Sequence, residues 1–249
     1  MRIHDTDYGT VCIGTPETLF AELARIGAEE WRANAEDHFS WALTGGSTPK
    51  AWYRWCVEKR ALPEELPATT QWFVGDERHV PLAGDESNFG NAARRLLDPL
   101  GAPAAVRHPW AVERSPEEAV AAFAREVAAV RGAGRAFSLC VLGLGDDAHT
   151  ASLFPGSPLL GGGGGTELFA AVDVSGKGWR LTLTPAGLDA CDRIVVHATG
   201  AAKAAAVRRV FCGGEPVSAV PAKLLEPLAA KVTWLLDPAA VAECAALGR

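Results

Sequence analysis

Residues 137–150 read FSLCVLGLGDDAHT, and this stretch decides the fold class. Its first half, 137–143, is the most strand-like run in the chain, and its second half is a loop rich in glycine and ionisable side chains. In open parallel sheets, ligands bind beyond the carboxyl ends of the strands. The stretch therefore predicts a strand of a parallel sheet with a functional loop directly after it.

Helical and strand patterns alternate along the rest of the chain, which is typical of an α/β protein with a mostly parallel sheet. Further strands are predicted at 39–44, 70–75, 168–174, 179–184, 193–198 and 232–236. Thr15-Pro16 and the capping box that starts at Ser115 each predict the start of a helix. The other helices are predicted at 49–60, 88–97, 200–211 and 238–247.

Length and composition limit the class of protein. With 249 residues, 48% of them hydrophobic, the chain suits one α/β domain spanning 1–249. The net charge of −6 argues against a nucleic-acid partner, because nucleic-acid-binding domains usually carry a basic stripe. Any anionic ligand must then be met by a few positioned cations and backbone N–H groups.

The chain carries no sign of export or membrane insertion. The first residues, MRIHDTDYGTV, lack the apolar core of a secretory signal, and no apolar stretch is long enough to span a bilayer. The six scattered cysteines form no CxxC pair, which predicts buried free thiols in a reducing compartment. We therefore expect a soluble cytoplasmic protein without a membrane partner. The glycines of 161–165 predict a flexible surface loop.

Four loops follow predicted strands of the sheet and should meet at one edge. They are 45–49 (GGSTP), 76–79 (DERH), 143–150 (GLGDDAHT) and 199–203 (TGAAK). The first suits an anion, because two glycines allow close approach and a helix start offers free N–H groups. It lacks the P-loop spacing, and an ordinary strand-to-helix turn remains the alternative.

The segment 143–148 also fits the G-x-G-x-x-A pattern of dinucleotide-binding folds. Two observations oppose that interpretation. Asp146 and Asp147 would lie where a pyrophosphate binds, and the helix that should follow is interrupted by Pro155-Gly156. Asp173, at the end of a later strand, could still imitate the acid that binds a ribose, so the alternative stays open.

His149 has three possible roles. With Asp146 and Asp147 it could hold a metal, but these three residues lack the usual ligand spacing and no second cluster supports them. It could be merely solvated. A carboxylate that orients the imidazole for proton abstraction is the interpretation we favour. A nucleophilic serine is disfavoured, because the chain has no G-x-S-x-G elbow.

Several motifs together resemble one known family. They are GGSTP, FVGDERHVPLAGDESNFGNAARRLLDPL, LGLGDDAHTASLFPG, RLTLTPAGLDACDRIVVHATGAAKA, PAKLLEP and VTWLLDPAA, in this order. They span roughly 43–240 and resemble the 6-phosphogluconolactonase family. The resemblance implies a three-layer α/β/α fold with a mostly parallel, Rossmann-like sheet. It also implies hydrolysis of 6-phosphogluconolactone to 6-phosphogluconate without a metal or other cofactor.

The same resemblance implies roles for individual residues. His149 matches the histidine that activates the attacking water, Asp147 the acid just before it, and Arg78 an arginine near the substrate. Arg180 and Lys203 match basic positions that hold the sugar phosphate. The remaining candidate substrate- and phosphate-binding residues are Gly45, Gly46, Ser47, Thr48 and Asp76.

One residue departs from the family pattern. The family usually has Asp-Gly-His where this chain has Asp147-Ala148-His149. If the backbone there needs a positive φ, alanine costs about 1 kcal/mol of strain and can shift the loop.

Two rival functions use related folds. An aminosugar-phosphate deaminase or isomerase typically has Asp-Glu-Tyr where this chain has Asp76-Glu77-Arg78. It also has a glutamate where this chain has Phe154. A non-catalytic sugar-phosphate sensor would need a DNA-binding segment, for which the N-terminal region leaves no room. We expect a small phosphosugar lactone as the partner, and a monomer or a small homo-oligomer.

Overall fold

The computed structural model describes residues 1–34, 38–161 and 165–247, which form ten strands and seven α-helices. The strands are β1 (Arg2–Thr6), β2 (Gly9–Ile13), β3 (Ser40–Leu43), β4 (Gln71–Val74), β5 (Asp76–Arg78), β6 (Leu139–Leu142), β7 (Phe169–Val174), β8 (Gly178–Leu183), β9 (Arg193–Ala198) and β10 (Val232–Leu236). The α-helices are α1 (Pro16–Ala33), α2 (Ser47–Lys59), α3 (Leu66–Thr69), α4 (Asn88–Ala92), α5 (Pro116–Arg131), α6 (Pro185–Asp189) and α7 (Ala204–Cys212). Short turns of 3-10 helix lie at Ala104–Val106, Pro158–Gly161 and Ala201–Lys203, and a longer 3-10 segment lies at Pro221–Lys231.

The main sheet has seven strands in the order β1-β2-β10-β9-β6-β3-β4. All neighbours from β2 to β4 are parallel, and only the edge strand β1 runs antiparallel to β2. Every residue of β3, β6 and β10 is buried, as expected for strands covered on both faces. The predicted α/β fold with a mostly parallel sheet is confirmed.

Two predicted strands belong to a second sheet. β7 and β8 form an antiparallel hairpin, and β5 adds to β8 to give the order β5-β8-β7. The hairpin turns at Gly176, where φ is +71°, a conformation that glycine adopts without strain. A turn this short can only join antiparallel strands, so β7 and β8 cannot be parallel neighbours in the main sheet.

Aromatic side chains show how the layers pack. On one face of the main sheet, Trp41 stacks on Trp72 with ring centroids 5.4 Å apart and also contacts Trp52 of α2. A Cβ on Gly27 of α1 would lie only 2.1 Å from the Trp41 ring, so glycine allows α1 to approach the sheet. On the opposite face, Phe73 packs edge-on against Phe123 of α5. Helices therefore cover both faces, which gives three layers.

Helix starts were predicted well. The Thr15 side chain accepts a hydrogen bond from the Thr18 N–H, and Ser115 with Glu118 forms the complete capping box. The helix predicted at 88–97 is α4 continued by a π-helical turn, Ala93–Leu97.

The prediction of a helix at 238–247 is wrong, because that segment forms successive turns. The Asp237 carboxylate accepts hydrogen bonds from the N–H groups of Ala240 and Gly200, at 2.8 and 2.9 Å. An aspartate that binds backbone N–H groups close to it stabilises a turn in competition with a helix.

Three further predictions concern exposure. Five cysteines are buried free thiols as expected, but Cys212 is exposed. The predicted glycine loop at 161–165 has its central residues, 162–164, outside the described residues. Within the described ranges, no helix combines the length and apolar composition that crossing a bilayer requires.

Candidate active site

A cleft of about 230 Å³ opens at the carboxyl edge of the main sheet. All four predicted loops contribute to it. Its lining residues are Thr44, Gly45, Gly46, Asp76, Arg78, Asn88, Gly143, Leu144, Gly145, His149, Ala151 and Lys203. The strands β9, β6, β3 and β4 are parallel neighbours in this order, and one of the four segments follows the carboxyl end of each. The segment after β4 includes the short strand β5.

His149 and Asp147 form a hydrogen-bonded pair in the loop after β6. The distance from His149 Nδ1 to Asp147 Oδ1 is 2.5 Å, and the same oxygen accepts the His149 backbone N–H at 3.1 Å. The bond from the imidazole lowers the pKa of Asp147 to about 2. The carboxylate is therefore ionised at neutral pH and can only accept, so in the neutral form of the imidazole Nδ1 carries the proton and Nε2 carries the lone pair.

Packing holds the His149 ring in place. The Phe154 ring lies against the imidazole, with centroids 4.2 Å apart, and the imidazole remains 28% exposed toward the cleft. A Cβ on Gly145 would lie 2.0 Å from His149 Nδ1, so only glycine fits beneath the ring. The imidazole is thus accessible and oriented, as a general base requires.

The loop that carries this pair has a left-handed residue at Ala148. Its φ is +65°, and its side chain is fully buried. The Ala148 carbonyl accepts the N–H of Ala222 at 3.0 Å, and Arg209 donates to the Asp147 carbonyl at 3.3 Å. The positive φ that would make alanine costly at this position is therefore present, and contacts from the C-terminal part of the chain compensate for it.

The loop 45–48 leads from β3 into α2. Gly46 has a φ of +106° and caps α2 without a side-chain hydrogen bond, which leaves the first N–H groups of the helix without a capping side chain. Ser47 is exposed beside the cleft, whereas Thr48 is buried and its hydroxyl lies 3.0 Å from that of Thr199. The free N–H groups and the positive end of the helix favour an anion.

Asn88 and Asp76 line the floor of the cleft, and Ser152 bonds to Asp76 without lining the cleft itself. The Asn88 amide donates to the Asp76 carbonyl at 2.9 Å, and the Ser152 hydroxyl donates to the Asp76 carboxylate at 2.7 Å. A Cβ on Gly45 would lie 1.9 Å from the Asn88 amide oxygen, so glycine permits this close approach. All three polar side chains are nearly inaccessible to solvent, which gives the floor a fixed shape.

Arg78 and Arg180 stand directly opposite each other in the pairing of β5 with β8. Like charges in such a position repel, and their side chains share a face of the sheet. Burial, and then the charge of Arg78, lowers the pKa of Arg180. Arg78 is anchored by donating to the Glu86 carbonyl, and Arg180 donates to the Lys177 carbonyl at 2.5 Å. Two adjacent cations suit an anion that would bind both.

Glu77, between Asp76 and Arg78, has a structural role. Its carboxylate is fully buried and accepts the backbone N–H groups of Asn88 and Phe89, at 2.6 and 2.8 Å. Burial raises its pKa, and the hydrogen bonds oppose that shift. Glu77 therefore ties β5 to the start of α4 and so places Arg78 and Asn88 relative to each other.

Lys203 reaches the cleft from the 3-10 turn before α7. Its ammonium lies 2.6 Å from the Asp146 carboxylate, which is itself largely exposed. This ion pair holds the lysine beside the loop that carries His149. An exposed pair of this kind is weak, so a stronger anion can compete for the lysine.

The structure brings most of the predicted site residues to one cleft. Six of them line it directly, namely Gly45, Gly46, Asp76, Arg78, His149 and Lys203. The other four, Ser47, Thr48, Asp147 and Arg180, lie next to lining residues but outside the cleft wall. The sequence reasoning missed Asn88, Ser152 and Arg209. The Ser-Asn pair after the Asp-Glu-Arg motif was a signal for Asn88.

The described residues contain no group of three His, Cys, Asp or Glu side chains placed to share a metal ion. Fold and cleft together define an α/β protein with a cleft of small-ligand size at the carboxyl edge of a parallel sheet.

Comparisons with known proteins show to which family of α/β proteins the chain belongs. Residues 14–234 match the family described as glucosamine-6-phosphate isomerases/6-phosphogluconolactonase. The chain therefore belongs to the glucosamine-6-phosphate isomerase/6-phosphogluconolactonase family.

Individual relatives cover most of the chain. A 6-phosphogluconolactonase of Synechocystis sp. is 35% identical over 79% of this chain and 80% of its own length. The human 6-phosphogluconolactonase is 33% identical over 90% of this chain and 89% of its own. The solved structure of 6-phosphogluconolactonase from Trypanosoma brucei superimposes with a TM-score of 0.81 at 29% identity, covering 95% of this chain and 99% of that one.

Proposed function

We propose that this protein is a 6-phosphogluconolactonase, which hydrolyses 6-phosphoglucono-1,5-lactone to 6-phosphogluconate in the oxidative pentose phosphate pathway. The observation that carries the proposal is the His149–Asp147 pair, which faces a cleft bordered by Arg78 and Lys203. The relatives that match along most of the chain bear this name. We propose a cytoplasmic enzyme, a monomer or a small homo-oligomer, that needs no cofactor.

The phosphate anchors the substrate in this mechanism. Arg180, Lys203 and the free N–H groups at the start of α2 provide its contacts, together with Ser47. Each charge-assisted hydrogen bond contributes about 1.5–3 kcal/mol. Binding energy from the phosphate then holds the distant lactone carbonyl near His149. Lys203 exchanges its bond to Asp146 for one to the phosphate.

His149 acts as the general base. Its Nε2 takes a proton from a water molecule, and that water attacks the lactone carbonyl. Asp147 keeps Nδ1 protonated and stabilises the imidazolium that forms. A positioned base of this kind contributes about 10²–10⁴ in rate. Arg78 stabilises the negative charge that develops on the carbonyl oxygen.

Ring opening completes the reaction. The tetrahedral intermediate collapses, the bond between the carbonyl carbon and the ring oxygen breaks, and the imidazolium returns its proton to that oxygen. Asp76 and Asn88 shape the floor beneath the sugar ring. No covalent intermediate with the protein is needed.

The test is a lactonase assay on freshly prepared substrate, in which 6-phosphogluconate is detected by coupling to its NADP-dependent oxidation. Spontaneous hydrolysis is measured in parallel and subtracted. The wild type should accelerate product formation, and His149→Ala should lower kcat by about 10²–10⁴. His38→Ala is a matched control, because His38 is exposed at the amino end of β3, away from the cleft.

Two results would refute the proposal. One is a wild-type rate equal to the spontaneous rate, and the other is full activity of His149→Ala. Release of ammonia from glucosamine 6-phosphate would instead indicate the deaminase activity of the same family.

A further inference from the structure

Two cysteines far from the cleft lie in direct contact. The sulfur of Cys212, the last residue of α7, is 2.6 Å from the sulfur of Cys244, and 32 positions separate them in the chain. A disulfide bond has a sulfur–sulfur distance of about 2.05 Å. The two side chains therefore already point at each other, and little movement is needed to join them.

The two sulfurs differ in access to solvent. Cys212 is exposed, whereas Cys244 is buried with 1% of its surface accessible. An exposed thiol can be attacked by, or can itself attack, a reagent in solution, and a buried neighbour can then resolve the product. Burial, and then a hydrogen bond from Cys212, raises the pKa of Cys244 to about 11, so Cys244 is not the thiol that reacts first with a reagent in solution.

The other close pair of cysteines lacks this access. The thiols of Cys140 and Cys191 also interact, but both residues are buried in the core, at 0% and 2% exposure. Their mutual hydrogen bond and burial raise the pKa of Cys140 well above its usual value. This second pair provides a control for the effect of exposure within the same chain.

Neighbouring contacts hold the two segments together. Arg208 of α7, four positions before Cys212, pairs at 3.5 Å with Glu243, which directly precedes Cys244. The segment that follows Cys212, residues 213–223, supports the loop of His149: Ala222 donates to the Ala148 carbonyl, and Ser218 accepts the Gly156 N–H at 2.8 Å. A bond at Cys212 would therefore fix the starting point of this supporting segment.

We propose that Cys212 and Cys244 form a redox-active pair that a small-molecule disulfide converts to an intramolecular disulfide bond. The Cys212 thiolate attacks one sulfur of the reagent, the reagent's disulfide breaks, and one thiol leaves. The Cys244 sulfur then attacks the Cys212 sulfur of this mixed disulfide, and the second thiol leaves. The two cysteines lose two protons and two electrons, which the two released thiols carry away.

The test uses the full-length reduced protein, equilibrated with defined ratios of oxidised to reduced glutathione. Remaining thiols are alkylated under denaturing conditions and counted by mass. The wild type should lose two of its six thiols without retaining glutathione. Tryptic digestion should then yield a single species joining peptide 210–223 to peptide 232–249. The oxidised protein should unfold at a temperature about 5–10 °C higher than the reduced protein.

Two variants test whether the disulfide bond forms specifically between Cys212 and Cys244. Cys212→Ser changes an exposed side chain, should fold normally, and should keep all its remaining thiols under the same conditions. Cys140→Ser should still form the bond between Cys212 and Cys244. The proposal is overturned if all wild-type thiols stay reduced, if Cys212 stops at the glutathione adduct, or if it links two copies of the chain. None of these measurements depends on lactonase activity.

Discussion

Asp147 decides how well His149 can work as a base. It lies outside the cleft wall, and its carboxylate bonds to the Nδ1 and the backbone N–H of His149. Asp147→Asn should therefore lower kcat by about tenfold to several hundredfold, within the total that a positioned base supplies. KM should change little, because no contact to the substrate is removed. A rise in KM with unchanged kcat would contradict this role and point to substrate binding.

The same carboxylate should make stability depend on pH. Its pKa in the folded protein is about 2, below the 3.8 of a free aspartate. The contribution of ionised Asp147 to the unfolding free energy is thus complete above about pH 4 and is lost as the pH falls toward 2, because the aspartate of the unfolded chain takes up a proton first. The difference in unfolding free energy between wild type and Asp147→Asn should shrink over this interval. Urea unfolding at several pH values measures it, and a constant difference would be the contrary result.

Ala148 adopts a backbone conformation that suits glycine. Ala148→Gly should remove the strain of the left-handed backbone conformation. Glycine also raises the entropy of the unfolded chain, which opposes this gain, so the net stabilisation should be at most about 1 kcal/mol. Ala92→Gly is the matched control, since Ala92 is equally buried but has a φ of −63°. That substitution should destabilise by about 1 kcal/mol or more. Chemical denaturation compares them, and the same sign for both variants would contradict the strain argument.

The sequence predicted residues whose chemistry follows directly from their position after a strand. Gly45, Arg78 and His149 are of this kind, because the carboxyl ends of parallel strands share an edge. Ser152 and Arg209 were missed for a physical reason. Ser152 reaches Asp76, 76 positions away, and Arg209 reaches the carbonyl of residue 147, 62 positions away. Such contacts depend on tertiary packing and leave no local pattern.

Among the elements, strands with fully buried runs were predictable, and the half-exposed β7 and β8 were predicted as strands but belong to the second sheet. β6 is apolar throughout and β10 is apolar except for Thr233, which favours a place in the centre of a parallel sheet. β5 was read as a loop, because Asp76–Arg78 is charged in every position and becomes a strand only by pairing with β8. The segment after β10 contains apolar residues at helical spacing, yet Asp237 turns it away from a helix.

The pairing of β5 with β8 yields a prediction about affinity. It sets Arg78 against Arg180 beside the cleft, an arrangement that an anion would relieve. Arg180→Gln should raise KM by about 10- to 100-fold, since a hydrogen bond to a charged group contributes about 1.5–3 kcal/mol. The kcat should stay within a few-fold of wild type. Steady-state kinetics over a range of lactone concentrations measure both parameters.

A control for that substitution lies at the opposite end of the sheet. Arg135 is exposed and pairs with Asp192, just before β9 begins. Arg135→Gln should leave KM unchanged. If both variants raise KM equally, the overall charge of the protein, and not the Arg78–Arg180 pair, controls affinity.

On the scale of the whole molecule, charge is distributed unevenly. The chain carries a net charge of −6, yet the side chains beside the cleft include Arg78, Arg180 and Lys203. Burial, followed by the charges of Arg95 and Arg78, also lowers the pKa of Lys50 in the first turns of α2, so this end of the molecule is locally cationic. An acidic protein can thus attract an anionic sugar phosphate to one place, because exposed charges beyond about 10 Å are screened by salt.

Occupation of the cleft should stabilise the entire fold, because its walls come from segments spread along the sequence between Thr44 and Lys203. The product, 6-phosphogluconate, at 100 times its Kd should add about 2.7 kcal/mol to the unfolding free energy. For a chain of this length, that corresponds to a rise in Tm of roughly 5–10 °C. Gluconate at the same concentration lacks the phosphate and should raise Tm far less. Thermal unfolding with each ligand tests this, and equal shifts for both would mean that the cations at the cleft do not bind the phosphate.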